Sequence, residues 1–269
     1  MSTADLAPRC WWCGGIADSR EHRIKASQLK KMFTDSDHLI LDGKERPTRL
    51  NGPGAKPMLF PKVLCRQCNN VRSQPFDEAY DKFIQLVWDD PEYFRSRSSL
   101  DMQELYPEDP FGPQKLCRYY IKNIACRIAE AGFEVPPEMI DFMDGASYMP
   151  KAIIVLYKDF SNYDQFQRAG LSGHYPFANR MHSPEKPSVG PLEGFTAEVQ
   201  NGPIGALFWW WHAEWSAGIN FCSQRVVPLR ERTELPHPEL HQSEWDRADQ
   251  MKRAQDIVAR QSSRSGRSD

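Results

Sequence analysis

Apolar positions change their rhythm twice along this chain. Through residue 75 they are sparse, and Gly, Pro and charged residues crowd between them. From Phe76 the spacing turns helical: Phe76, Tyr80, Phe83 and Val87 share one face. Leu116, Tyr120, Ile124 and Ile128 repeat that spacing and predict an amphipathic helix over 114–131, with Gly132 as its terminator. Beyond residue 150 the apolar runs are short and β-branched or aromatic. Residues 152–157 read as a buried strand, and 195–200, 204–211 and 218–227 as an antiparallel meander.

The sparse N-terminal stretch still carries element signals. Residues 20–23 predict a short strand, 27–33 a short helix, and Val63 and Leu64 a strand leading into a cysteine pair. The Gly-, Pro- and charge-rich 41–58 reads as a mobile basic loop. A helix opens at Asn69. Pro75 either kinks it or ends one turn and starts a second, with Ser73 as N-cap. Residues 88–113 and 160–190 read as irregular, Pro136 and Pro137 introduce a helical turn, and 244–259 form a polar helix before a basic tail. No internal repeat is present. The fold class is α+β: a metal-stapled unit over 1–88, an α+β accessory region over 89–243 and the polar helix and tail over 244–269.

Composition narrows the class. A chain of 269 residues with 40% hydrophobic and 26% charged residues folds as a globule. It lacks any run of eighteen apolar residues and an N-terminal leader, so a cytoplasmic protein without membrane contact is expected. The net charge of −2 conceals an asymmetry. Residues 1–72 hold 13 basic and 7 acidic side chains, leaving 21 and 29 for the remainder. A basic N-terminal third is where a polyanion would dock.

Chemistry concentrates in that third. Cys10 and Cys13 form one Cys-x2-Cys pair, with Gly14 and Gly15 permitting the tight turn; Cys65 and Cys68 form a second. In a reducing compartment such pairs read as metal sites, and four thiolates complete a tetrahedral shell for one structural Zn2+. Residues 1–75 hold too few large apolar side chains to close a core alone, so metal binding would supply folding free energy there. Cys117, Cys126 and Cys222 lack such spacing and read as buried apolar residues.

The staple brackets Glu21-His22 and runs into Asn69-Asn70. Ser-Arg-Glu-His-Arg-Ile followed by Cys-Arg-Gln-Cys-Asn-Asn-Val-Arg resembles the HNH, or ββα-metal, nucleases, most closely their zinc-stapled, phage endonuclease VII-like branch. The resemblance covers roughly residues 10–80. It implies that His22 is the general base, that Glu21 and Asn69 hold a catalytic Mg2+ or Mn2+, and that Arg72, where relatives often carry Lys, clamps a phosphate. Arg20, Arg23, Lys25, Arg66 and Arg72 are the expected DNA contacts. Each role has a plainer rival: zinc ligand or structural histidine for His22, surface carboxylate for Glu21, helix N-cap for Asn69, solvated charge for Arg72. Asn70 takes the Asn69 role if the helix starts one residue later. The family more often has Asp or His where Glu21 stands. Its middle Asn, which orients the base, is replaced by Phe60, leaving a backbone carbonyl near Phe60 or Pro61 as the expected acceptor for the imidazole.

Trp209, Trp210, Trp211 and Trp215 read as a strand packing alternate rings into a core, or as a base-stacking platform. His174, His182 and His212 show no ligand spacing. The expected function is a metal-dependent endonuclease hydrolysing DNA, nicking one strand per event. By analogy it serves phage defence, as does the HNH component of a Zorya-type system, with defence proteins or a second copy of itself as partners. A non-catalytic zinc module binding nucleic acid or protein, and an RNA-directed nuclease, are the alternatives.

Overall fold

The computed structural model describes residues 7–35, 39–41, 48–168, 177–179, 192, 194–212 and 219–235. Strand β1 (Ser19–His22) pairs antiparallel with β4 (Leu59–Leu64), and the chain between them forms α1 (Ala26–Asp35), a small hairpin of β2 (Leu39–Leu41) with β3 (Thr48–Leu50), and a 3-10 turn at Lys56–Met58. The segment read as a basic loop therefore contains a strand and a turn, although its residues 42–47 lie outside the described set. Leu29, Met32, Leu50 and Met58 make a small separate core that closes α1 over this hairpin.

After β4 the chain makes one π-helical turn, Gln67–Arg72, and then α2 (Gln74–Asp89). Pro75 cannot donate to the preceding turn, so the helix restarts there. Ser73 occupies the predicted cap position, but its hydroxyl donates back to the Asn69 carbonyl instead of capping α2. Residues 88–113 are not irregular. They carry α3 (Pro91–Arg95), β5 (Ser99–Asp101) and α4 (Met102–Leu105). These elements are too short for periodicity to reveal, and β5 exists because β11 (Val226–Pro228) pairs with it from far along the chain.

Helix α5 (Gly112–Glu130) confirms the predicted helix and is the central element. Its apolar stripe joins a buried cluster running from Cys10 and Trp12 through Phe83 and Ile124 to Phe208 and Leu229. Its other side is also buried, with Tyr119, Lys122 and Cys126 enclosed. α6 (Pro137–Met143) follows, then β6 (Ala152–Lys158) and α7 (Phe160–Arg168), a helix in a stretch expected to be irregular. The sheet continues with β7 (Phe177–Asn179), β8 (Gly194–Asn201) and β9 (Ile204–Trp211). β6–β9, β9–β8 and β8–β7 are antiparallel; the β8–β9 pair is the part the predicted meander contains, while β7 falls in the stretch expected to be irregular. The last predicted strand is broken: β10 (Ile219–Asn220) runs parallel to β6, a 3-10 turn intervenes, β11 leaves to join β5, and β12 (Arg230–Glu231) returns parallel to β6.

Trp210 is buried and donates to Glu138 at 2.9 Å, which agrees with the core reading of the tryptophan run. The predicted helix at 244–259, the tail, Trp215, His174 and His182 lie outside the described residues. Among the described residues no helix is long and apolar enough to cross a membrane.

Candidate functional site

The cysteine cluster forms as the spacing predicts. Gly14 adopts a positive φ of 74°, and its N–H donates to the Cys10 carbonyl at 2.9 Å. The Cys10 N–H donates in turn to the Gly15 carbonyl at 2.7 Å, closing the first knuckle. The Trp11 N–H bonds the Val63 carbonyl at 3.0 Å, which docks that knuckle on β4. The second knuckle follows β4, where the Cys68 N–H points at the Cys65 sulfur at 3.4 Å. All four Sγ atoms lie within 4.8 Å of one another. A Zn–S bond of about 2.3 Å places tetrahedral sulfurs about 3.8 Å apart, so the cluster can hold a metal ion such as zinc with small adjustments.

The thiols are unequal. The Gly15 N–H beside Cys13 lowers its pKa to about 7, whereas burial pushes the Cys10 and Cys68 thiols up. Arg72 sits beside the cluster. Its guanidinium stacks on Trp12 at 4.3 Å, reaches the Cys68 sulfur at 3.6 Å and ion-pairs with Asp144. A dication held by four thiolates carries two net negative charges, and this guanidinium and the amide N–H groups offset part of them.

Glu21, His22 and Asn69 surround the β1 side of the same unit. Glu21 faces inward and is 9% exposed; its carboxylate meets the Lys122 ammonium at 3.0 Å. That ammonium, 1% exposed, also reaches Asp77 at 3.1 Å and Ser73 Oγ at 3.2 Å. Burial alone would lower the Lys122 pKa, but the two carboxylates outweigh it and the pKa is raised. The Asn69 amide nitrogen donates to Ser19 Oγ at 3.0 Å and to the Arg20 carbonyl at 3.3 Å. A carbonyl can only accept, which fixes the amide orientation. Asn69 Oδ1 is thereby left buried and without a hydrogen-bond partner among the described residues. Ser73 links the two groups, accepting from Lys122 and donating to the Asn69 carbonyl at 2.5 Å.

His22 is half-buried at the end of β1. Burial lowers its pKa; Glu21 opposes this, and Lys122 and Lys30 reinforce it. The ring is therefore neutral near pH 7, the form a general base needs. Phe60 is fully buried beneath the Arg23 and Arg127 guanidiniums at 4.5 and 5.5 Å. Among the described residues nothing hydrogen-bonds the His22 ring, so the expected carbonyl acceptor near Phe60 or Pro61 is not in place. The His22 backbone is held instead: Asn123 Nδ2 donates to the His22 carbonyl at 3.4 Å and to the Arg23 carbonyl at 3.1 Å.

The expected DNA contacts divide sharply. Arg23 ion-pairs with Glu130, donating through Nη1 at 2.7 Å, and its Nε donates to the Pro57 carbonyl. Lys25 pairs with Asp81 at 2.6 Å, Arg72 is committed to Asp144, and Arg66 reaches Asp18 at 3.6 Å while largely exposed. Arg20 is exposed and pairs with no carboxylate among the described residues.

Lys122 and Asn123 went unforeseen in the sequence. Lys122 lies opposite the 116–120–124–128 stripe, on the face that ordinary amphipathic reasoning assigns to solvent, and Asn123 is a polar residue at the edge of the stripe beside Leu116. No local signal marks them, because their partners are about a hundred positions earlier.

No protein family matches this chain, no curated protein matches it, and no solved structure matches it.

Proposed function

We propose that the chain is a zinc-stapled, metal-dependent endonuclease of the HNH type that nicks DNA. The observation that carries this reading is that a half-buried, neutral His22 and Glu21 end β1 of an antiparallel strand pair, and that the helical turn bearing Asn69, bonded to the same β1, follows the pair inside the four-cysteine cluster. In this reading the cluster holds one structural Zn2+.

His22 accepts a proton from water as the water oxygen bonds to phosphorus. The P–O bond to the leaving sugar oxygen breaks, and that oxygen departs with the bonding pair and is protonated from solvent. A divalent Mg2+ or Mn2+, once bound, supplies Lewis-acid charge at the phosphate and the leaving oxygen. Two features suit such a cation: the orphaned Asn69 Oδ1, and an excess of carboxylate, with Glu21, Asp77 and Asp81 set against Lys122 and Lys25. Glu21 and Asn69 are the residues that would hold it. One such site cuts one strand per event, so a double-strand break requires a homodimer or two visits. A place in phage defence, with partner proteins, extends the same reading by analogy.

Supercoiled plasmid with Mg2+ or Mn2+ tests the reading. Wild type should give open-circle product. His22→Ala should slow it by about 10²–10⁴-fold, the usual contribution of a general base, with zinc content and circular dichroism unchanged. Equal cutting by both proteins would sink the assignment. The acid side of the pH profile gives a second check. A lowered His22 pKa keeps the imidazole neutral further into acid, so the rate should fall away only below pH 6.5, the ordinary histidine value. A limb at or above that value would show that the residue titrating is not this half-buried ring.

A zinc-bearing module without catalysis is the second reading. The ion pair of Glu21 with Lys122 and the ties of Asn69 to β1 favour it, since both are bonds that hold a fold. It predicts that plasmid survives both proteins.

A further inference from the structure

The register of β1 on β4 pairs Arg20 with Lys62, with a shift of register on either side of the pair. Both side chains are exposed, and among the described residues neither pairs with a carboxylate. Directly opposed side chains on an antiparallel pair sit about 4.5–5.5 Å apart at Cβ, and like charges placed so are destabilising. The rest of the unit shows the opposite habit: Arg23, Lys25 and Arg72 each have an acidic partner. Two residues beyond Arg20 on the same strand is His22, and alternation turns both to the side opposite the buried Glu21. Lys30 on α1 is exposed, pairs with no carboxylate among the described residues, and lies within electrostatic reach of His22. Among the described residues three cations without a carboxylate partner thus lie on the elements next to His22: Arg20 on its own strand, Lys62 on the partner strand and Lys30 on α1. An anion shared between Arg20 and Lys62 would turn their repulsion into attraction.

We propose that Arg20 and Lys62 form a phosphate seat, and that with Lys30 they hold the phosphodiester backbone of a nucleic acid across His22. The inference rests on the nucleic-acid part of the reading above and not on hydrolysis. It assigns binding to a cross-strand pair of which Lys62 carries no sequence signal, and it withdraws that role from Arg23, Lys25 and Arg72, whose charges are already spent.

Fluorescence anisotropy with a 20-base-pair DNA duplex and an RNA duplex of the same sequence, without added divalent cation and over a range of NaCl, tests it. Lys62→Ala should weaken binding of unrelated sequences alike and lower the slope of log K against log salt by about 1, the mark of one lost phosphate contact. Lys62→Glu should weaken binding further. It should also raise the melting temperature of the free protein by about 1–2 °C, because Glu opposite Arg20 replaces repulsion with attraction. Loss on either duplex supports the seat, and the more affected duplex identifies the source of the phosphates. An unchanged slope in both variants overturns it, as does a melting temperature that falls in Lys62→Glu, or a wild type that binds neither duplex. The two proposals fail separately. A wild type that cuts nothing but loses binding on Lys62→Ala keeps the seat and ends the hydrolysis reading. Cleavage that depends on His22 with a salt slope indifferent to Lys62 does the reverse.

Discussion

Lys122→Met is expected to lower the melting temperature by roughly 5–15 °C, the equivalent of about 3–5 kcal/mol for breaking a buried ion pair by removing one partner. Methionine fits the space and keeps the apolar stem, so packing changes little. What is lost is the only ammonium on Glu21 and the closest one on the Asp77 carboxylate among the described residues. Glu21 is then left buried with its charge uncompensated, and Ser73 loses the donor that ties it to α5. Adding Glu21→Gln to Lys122→Met should recover part of the loss, because it removes one of the stranded charges. Calorimetry of the two singles and the double closes the cycle. A Lys122→Met protein melting within a degree of wild type would show that this ammonium is not the counter-charge the geometry describes.

Cys65→Ser is expected to abolish metal retention and loosen the whole β1–β4 unit. Structural zinc contributes apparent binding free energies of about 10–16 kcal/mol in isolated finger peptides, an upper bound here because Trp12, Phe60 and Leu64 also anchor the unit in the main core. Elemental analysis after dialysis against a mild chelator should find about one zinc per wild-type chain and close to none in the variant. Hydrogen exchange should accelerate across β1, β4 and the π-helical turn before it does so in β6 and β9. Equal metal content in both proteins would mean that the cluster is not the metal site. Uptake should also weaken as pH falls below about 7, since there even Cys13, the thiol that holds its charge longest, is protonated and every ligand must lose a proton to bind.

What the sequence revealed and what it hid follow from the range of the interactions. The knuckles were legible because Cys-x2-Cys spacing and the Gly14 turn are local. α5 was legible as a helix because Leu116, Tyr120, Ile124 and Ile128 are periodic, but only one of its buried faces was. Tyr119, Lys122 and Cys126 are buried on the far side, Asn123 and Arg127 are polar residues on the stripe itself, and a helix buried on two sides breaks the rule that polar residues face water. β5 was invisible because its pairing partner is β11, more than a hundred residues later. The basic residues of the first third looked equivalent as letters. Only the fold shows that Arg23, Lys25 and Arg72 are internally neutralised while Arg20 has no carboxylate partner among the described residues. Phe60 is an apolar anchor, buried under two guanidiniums, at a position where the resemblance alone would have led one to expect a polar side chain.

The two-sided burial of α5 has a practical corollary for anyone wishing to transplant the zinc unit. Residues 1–88 contain every ligand and every predicted reacting group, yet the ammonium that balances Glu21 and the amide that holds the His22 carbonyl belong to a helix starting at residue 112. Cut from that helix, the fragment keeps its chemistry on paper and loses the hand that steadies it. The smallest portable version of this site is discontinuous in sequence, and a graft would have to carry the strand pair, both knuckles and the inner face of α5 together.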